Sequence, residues 1–91
     1  EISMFNASLL TAEWKILRGS AFDALLILEE LAVNSELDSD DHIHVRYWLG
    51  RAHEELQKPS LARACYARIL LDNPGYRDAF DRVRAIDAVN R

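Results

Sequence analysis

IHVRYWLGRAHEELQKPSLARACYARILLDNPGY, residues 43–76, is the stretch whose reading decides the fold. Its first half carries Val45, Trp48, Leu49, Ala52 and Leu56, apolar positions spaced by three and four, the period of a helix face. Gln57-Lys58-Pro59 breaks that pattern. A second amphipathic segment follows with Leu61, Ala64, Cys65, Ile69, Leu70 and Leu71, and Asp72-Asn73-Pro74 closes it. Read as two antiparallel helices, the stretch places Gly50 and Ala62 at a close crossing, because larger side chains would hold the two backbones apart. Tyr66 lies one turn beyond Ala62 and packs over that crossing. Pro74 ends the second helix because it has no amide to continue the ladder.

Leu49, Gly50, Ala62 and Tyr66, followed by Pro74, stand at the mutual spacing of a known signature, and the stretch resembles the tetratricopeptide repeat, a helix–turn–helix unit of roughly 34 residues. His53 stands where that family usually has Tyr, Ile69 where it has Ala, and Gln57-Lys58-Pro59 replaces a tight Gly turn. The resemblance implies an all-α fold of stacked helical hairpins with about five helices, in one domain spanning residues 1–91. Repeat 2 occupies 43–76, a degenerate repeat 1 occupies about 5–38, and a capping helix occupies 76–90.

Toward the N-terminus, residues 1–18 read as a helix with apolar residues at Met4/Phe5, Leu9/Leu10, Ala12, Trp14 and Ile16/Leu17. Gly19-Ser20 interrupts it, with Ser20 the expected N-cap of the next helix, 21–34. That second helix is apolar around most of its circumference and is expected to be buried on more than one side. By resemblance, Gly19 takes the turn-glycine position and Ala24 the place of Ala62, which follows it by 38 residues. The surplus over the family period falls in the polar linker 35–41, SELDSDD. In this reading the first turn is one residue longer, and Leu10 and Trp14 take the Leu and Tyr positions. Ser39-Asp40-Asp41 is expected to cap a third helix, 42–57, and the fourth runs over 60–72.

Toward the C-terminus, residues 76–89 show Phe80, Val83, Ile86 and Val89 against Arg77, Asp81, Arg84 and Asp87. One apolar and one charged face suit a helix that covers the end of a repeat array and meets water on its other side. NPGYRDAFDRVRAI resembles the ending of many bacterial arrays of the family.

Ninety-one residues, about half of them hydrophobic, describe a globular chain, and three Gly with two Pro are too few for a turn-rich β fold. A formal net charge of −4, with Arg77, Arg82, Arg84 and Arg91 interleaved among Asp78, Asp81 and Asp87, argues against nucleic acid as partner. One cysteine, Cys65, excludes an internal disulfide and reads as a small buried apolar residue. No apolar run reaches the ~18–20 residues of a membrane span, so no membrane partner is expected, and the setting expected is cytoplasmic. The chain opens on Glu1, which reads as a piece of a longer protein.

Catalytic and metal chemistry find no constellation. His44 and His53 lie about 13 Å apart along a helix, too far for one ion, and His42 and His44 diverge. His53 is expected half-buried in place of the family's Tyr. Cys65 has no base beside it, and the pairs Glu29-Glu30, Asp40-Asp41 and Glu54-Glu55 are helix-surface or capping residues. No enzyme activity and no cofactor are expected.

A binding surface remains. By resemblance, the groove of the second repeat falls on His44, Tyr47, Arg51, Glu54 and Glu55. His44, Tyr47 and Arg51 step by three and four and are expected to form one exposed row, suited to a protein or peptide partner. Asp78 and Asp81 are expected to add negative charge beside it. The family's grip on chaperone C-terminal carboxylates is disfavoured, since Ser8 or Leu9, Ala12 or Glu13, Trp48, Asp78 and Arg82 occupy its positions and only Arg82 fits. The alternative is self-assembly. Two repeats and a cap leave the outer side of the first hairpin open, so Phe5, Trp14, Leu26 and Ile27 are expected to form a homodimer face.

Overall fold

The computed structural model describes residues 4–34 and 36–89, in which five α-helices follow one another with no strand among the described residues. They are α1 (Met4–Leu17), α2 (Ala21–Ala32), α3 (Ser39–Glu55), α4 (Pro59–Asp72) and α5 (Ala79–Val89). The fold is all-α. The opening residues 1–3 of the expected first helix, Ser35 of the linker, position 90 of the expected cap and Arg91 lie outside the described residues.

The two hairpins share one turn geometry. Gly19, at φ +85°, and Gln57, at φ +59°, each follow a helix C-terminus in the left-handed region. The Ser20 amide donates to the Lys15 carbonyl at 2.7 Å and the Lys58 amide to the His53 carbonyl at 2.9 Å, the six-to-one bond of a Schellman cap. Both turns occupy three residues, 18–20 and 56–58. The longer first turn expected from the sequence is therefore absent, and the 38-residue offset runs through the whole hairpin. Ala12, fully buried, stands in α1 where Gly50 stands in α3. Leu10 and Trp14 do not take packing positions. They are 57% and 56% exposed, and Ile16 is buried in their stead.

Helix ends depart from expectation by a residue or a few. Asp38, not the Ser39-Asp40-Asp41 run, caps α3, its carboxylate accepting from the Asp41 amide at 2.8 Å. Ser20 occupies the N-cap position of α2 without a side-chain capping bond. Pro59 begins α4 as its first helical residue, where its missing amide costs nothing. The cap begins at Ala79 rather than residue 76, because Tyr76, Arg77 and Asp78 form a turn in which Arg77 takes φ +42°.

The core gathers residues from all five helices. Ala12 and Ile16 meet Ala24, Leu25 and Leu28, then Val45, Trp48 and Ala52, then Ala62, Tyr66 and Ile69, and finally Ala79 and Ile86. Helix α3 is central, packing on α1, α2 and α4, while α5 packs on α4. The close crossing of α3 and α4 is present: Tyr66 and Ala62 are fully buried, and the Tyr66 ring occupies the space a side chain at Gly50 would fill. Burying Tyr66, Leu28 and Ile69 contributes roughly 1.5–3 kcal/mol each from apolar transfer.

Helix α2 is not buried on two sides. Ala24, Leu25 and Leu28 face the core, whereas Phe22 and Leu26 are 60% and 53% exposed. In α5 the inner face is Ala79, Val83 and Ile86, and Phe80 and Val89 lie outside it.

Candidate functional site

The outer strip of α3 meets the turn that follows α4, and that meeting decides which side chains are free. His44 and Tyr76 share a hydrogen bond between Nδ1 and the phenol, with their rings edge to face at 5.6 Å. Tyr47 is 3% exposed, so the exposed row expected over His44, Tyr47 and Arg51 is broken at its centre. Its hydroxyl donates to Asp78 Oδ1 at 2.6 Å, and its ring packs against Trp48, Tyr66 and Tyr76 at 5.4–5.9 Å. The physical reason lies in the turn, which lays Tyr76 and Asp78 over the face that the α3 periodicity leaves outward.

Glu54 is also engaged within the chain. It accepts from the Tyr66 hydroxyl and from Arg82 Nη1, the latter at 3.1 Å. Arg82 Nε donates to Asp78 Oδ2 at 3.0 Å, so Tyr47, Asp78, Arg82, Glu54 and Tyr66 form one hydrogen-bonded chain joining α3, α4 and α5. Burial alone would raise the Asp78 carboxyl; the Tyr47 hydrogen bond and Arg82 outweigh it and hold the group below the usual range. Burial and then the Glu54 hydrogen bond push the Tyr66 phenol far up, so it stays a donor. Asp78 therefore adds no free negative charge beside the strip, and Arg82 is already taken. Glu55, the last residue of α3, is exposed and has no hydrogen bond or ion pair among the described residues.

Two guanidinium groups remain. Arg51 lies 5.2 Å from the centroid of the Trp48 ring, and Arg77 lies 5.9 Å from the same ring, 5.2 Å from Tyr47 and 5.7 Å from Tyr76. Neither takes part in a salt bridge among the described residues. A guanidinium whose face rests on aromatic rings keeps its N–H edge for an outside acceptor, and its planar fork matches a carboxylate. The sequence reading had Arg51 and missed the part of Arg77, because a turn residue thirty positions away carries no periodic signal linking it to α3. Its one available cue was the adjacent pair Tyr76-Arg77.

The four residues of the expected assembly face are divided. Phe5 and Ile27 are half-buried and line a groove of about 570 Å³ between α1 and α2, together with Met4, Ala7 and Leu31. Trp14 and Leu26 face solvent on different helices, Trp14 with Arg18 stacked over its ring at 4.5 Å. Leu10, Leu17 and Phe22 join them as exposed apolar residues of the same hairpin.

His53 is half-buried, and its Nδ1 has no hydrogen-bond partner among the described residues. Cys65 is partly buried and its thiol is pushed up by burial, which lowers its reactivity. Among the described residues no three His, Cys, Asp or Glu side chains converge as a metal site. No helix among them is long and apolar enough to cross a membrane. Comparison of the chain with family models, curated proteins and solved structures finds no match.

Proposed function

We propose that the chain is a protein-interaction module of tetratricopeptide-repeat type, which scaffolds a complex by holding an acidic segment of a partner against α3 and the α4–α5 turn. The supporting observation is the convergence of Arg51 and Arg77 on Trp48, neither of them in a salt bridge among the described residues. Two like charges gathered on one ring repel, and an anionic side chain placed between their forks relieves that repulsion and forms charge-assisted hydrogen bonds. The reading assigns no catalysis and no cofactor.

Tyr47 is a poor probe of this surface, since truncating a buried, hydrogen-bonded ring is a stability lesion. The test uses the two arginines instead, Arg77 exposed and Arg51 half-buried. In a Trp14→Phe background, emission from Trp48 reports titration with an oligoglutamate peptide and, as control, an oligolysine peptide. Saturable binding of the acidic peptide alone, weakened about tenfold or more by Arg51→Ala and by Arg77→Ala, is expected. Binding that ignores both substitutions refutes the reading.

A second reading, self-association through the first hairpin, is favoured by a separate observation. Met4, Leu10, Trp14, Leu17, Phe22 and Leu26 are each more than half exposed on α1 and α2. So many exposed large apolar side chains on one hairpin are what a contact surface would use.

A further inference from the structure

We infer that the outer row of α2 that holds Glu30 docks on the outer row of α4 that holds Arg68 in a second copy of the chain. The inference rests on the self-association reading and names the counter-surface that reading lacks. Helix α2 carries Asp23, Glu29 and Glu30 and no base, and its outer side is Phe22, Leu26 and Glu30, continued by the C-cap Val33, all exposed. Helix α4 carries Arg63, Arg68 and one acid, Asp72, and its outer side is Leu61, Ala64, Arg68 and Leu71, again all exposed.

Three positions of each row are equivalent under the 38-residue offset that relates the hairpins. Leu26 corresponds to Ala64, Glu30 to Arg68, and Val33 to Leu71. Laid side by side and parallel, helices in that register set a large residue opposite a small one, an acid opposite a base, and two aliphatic side chains together. In that arrangement the size difference leaves room for close approach and opposite charges select the register. Within the chain neither Glu30 nor Arg68 takes part in an ion pair among the described residues, whereas Arg63 is held by Asp87. The charge that distinguishes the two otherwise similar rows is thus left for another molecule.

The experiment is the mass in solution by light scattering coupled to size exclusion, over a wide concentration range at low salt, for the whole chain and four variants. Glu30 and Arg68 are exposed, so charge reversal leaves the fold intact, which circular dichroism verifies. The wild type is expected to associate, and Leu26→Glu to abolish association. Glu30→Arg and Arg68→Glu are each expected to weaken it about tenfold, and the double variant to restore it, because the pair is re-formed with reversed sign. Association that survives both reversals, or reversals whose effects add instead of cancelling, overturns this pairing while leaving self-association standing. A wild type that stays monomeric at every concentration overturns both.

Discussion

The Tyr66 ring lies where the side chain of Gly50 would be: a Cβ at Gly50 would sit 2.5 Å from Tyr66 Cε1 and 2.7 Å from Cζ. Glycine inside α3 costs about 1 kcal/mol in helix propensity relative to alanine, so Gly50→Ala would stabilise an isolated helix. Here the packing term is larger and opposite. Tyr66 is fully buried, its hydroxyl is tied to Glu54, and its ring has nowhere to move. Gly50→Ala is expected to lower stability by about 1–3 kcal/mol net, read as a drop in the urea midpoint. An unchanged or raised midpoint would show that the ring yields.

Gln57 asks for the reverse exchange. A non-glycine residue in the left-handed region loses about 1–2 kcal/mol to crowding of its Cβ, while glycine sits there without strain and loses only some unfolded-state entropy. Gln57→Gly is expected to stabilise by about 0.5–1 kcal/mol, matching the turn to that of Gly19. Thermal unfolding of the two proteins under one condition decides the sign.

His53 makes stability depend on pH. Burial first, and then the charge of Lys58, hold its pKa below 6.5 against the opposing pull of Glu29. The unfolded chain therefore binds this proton more readily than the folded one. The contribution is complete above pH of about 6.5 and is lost as pH falls through that value toward the folded pKa. Urea midpoints followed from neutral pH down to about pH 5 should decline, and His53→Leu should flatten the decline. The scan stops above the carboxylate range because Asp78, with its pKa depressed, loses its own contribution only lower down. A wild-type midpoint that rises on acidification would contradict the assignment.

Glu54 is the joint of the polar chain between α4 and α5. Glu54→Ala leaves the Tyr66 hydroxyl and one arm of Arg82 without their acceptor and is expected to cost about 1–3 kcal/mol. Tyr66→Phe removes only the donor and should cost less. Because the two share one bond, the double variant should be less destabilised than the two losses added together. Strict additivity in chemical denaturation would mean that the bond contributes nothing in solution.

Much of the architecture was legible. The spacing of Gly50, Ala62 and Tyr66 located the crossing of α3 and α4, and His53 was anticipated half-buried. The first hairpin was legible only in outline. Its apolar residues are so many that several registers place some of them inward, Leu10 and Trp14 among them. The structure instead buries Ala12 and Ile16, because Ala12 lets α1 approach as Gly50 lets α3 approach. Of the expected binding strip, Arg51, over the Trp48 ring, and Glu55, at the exposed end of α3, are the residues without a hydrogen bond or ion pair among the described residues.

By itself the sequence determined what short-range chemistry can encode: where helices run, and that two of them cross at a glycine. Those are properties of periodicity and side-chain size within a few turns. The tertiary structure alone decided which polar side chains of α3 remain for a partner. Tyr47, His44 and Glu54 look outward on their own helix, yet Asp78, Tyr76 and Arg82 reach back across some thirty residues to claim them. That claim depends on the path of one turn, in which Arg77 takes a left-handed backbone, and no periodicity in α3 records where a later turn will fall.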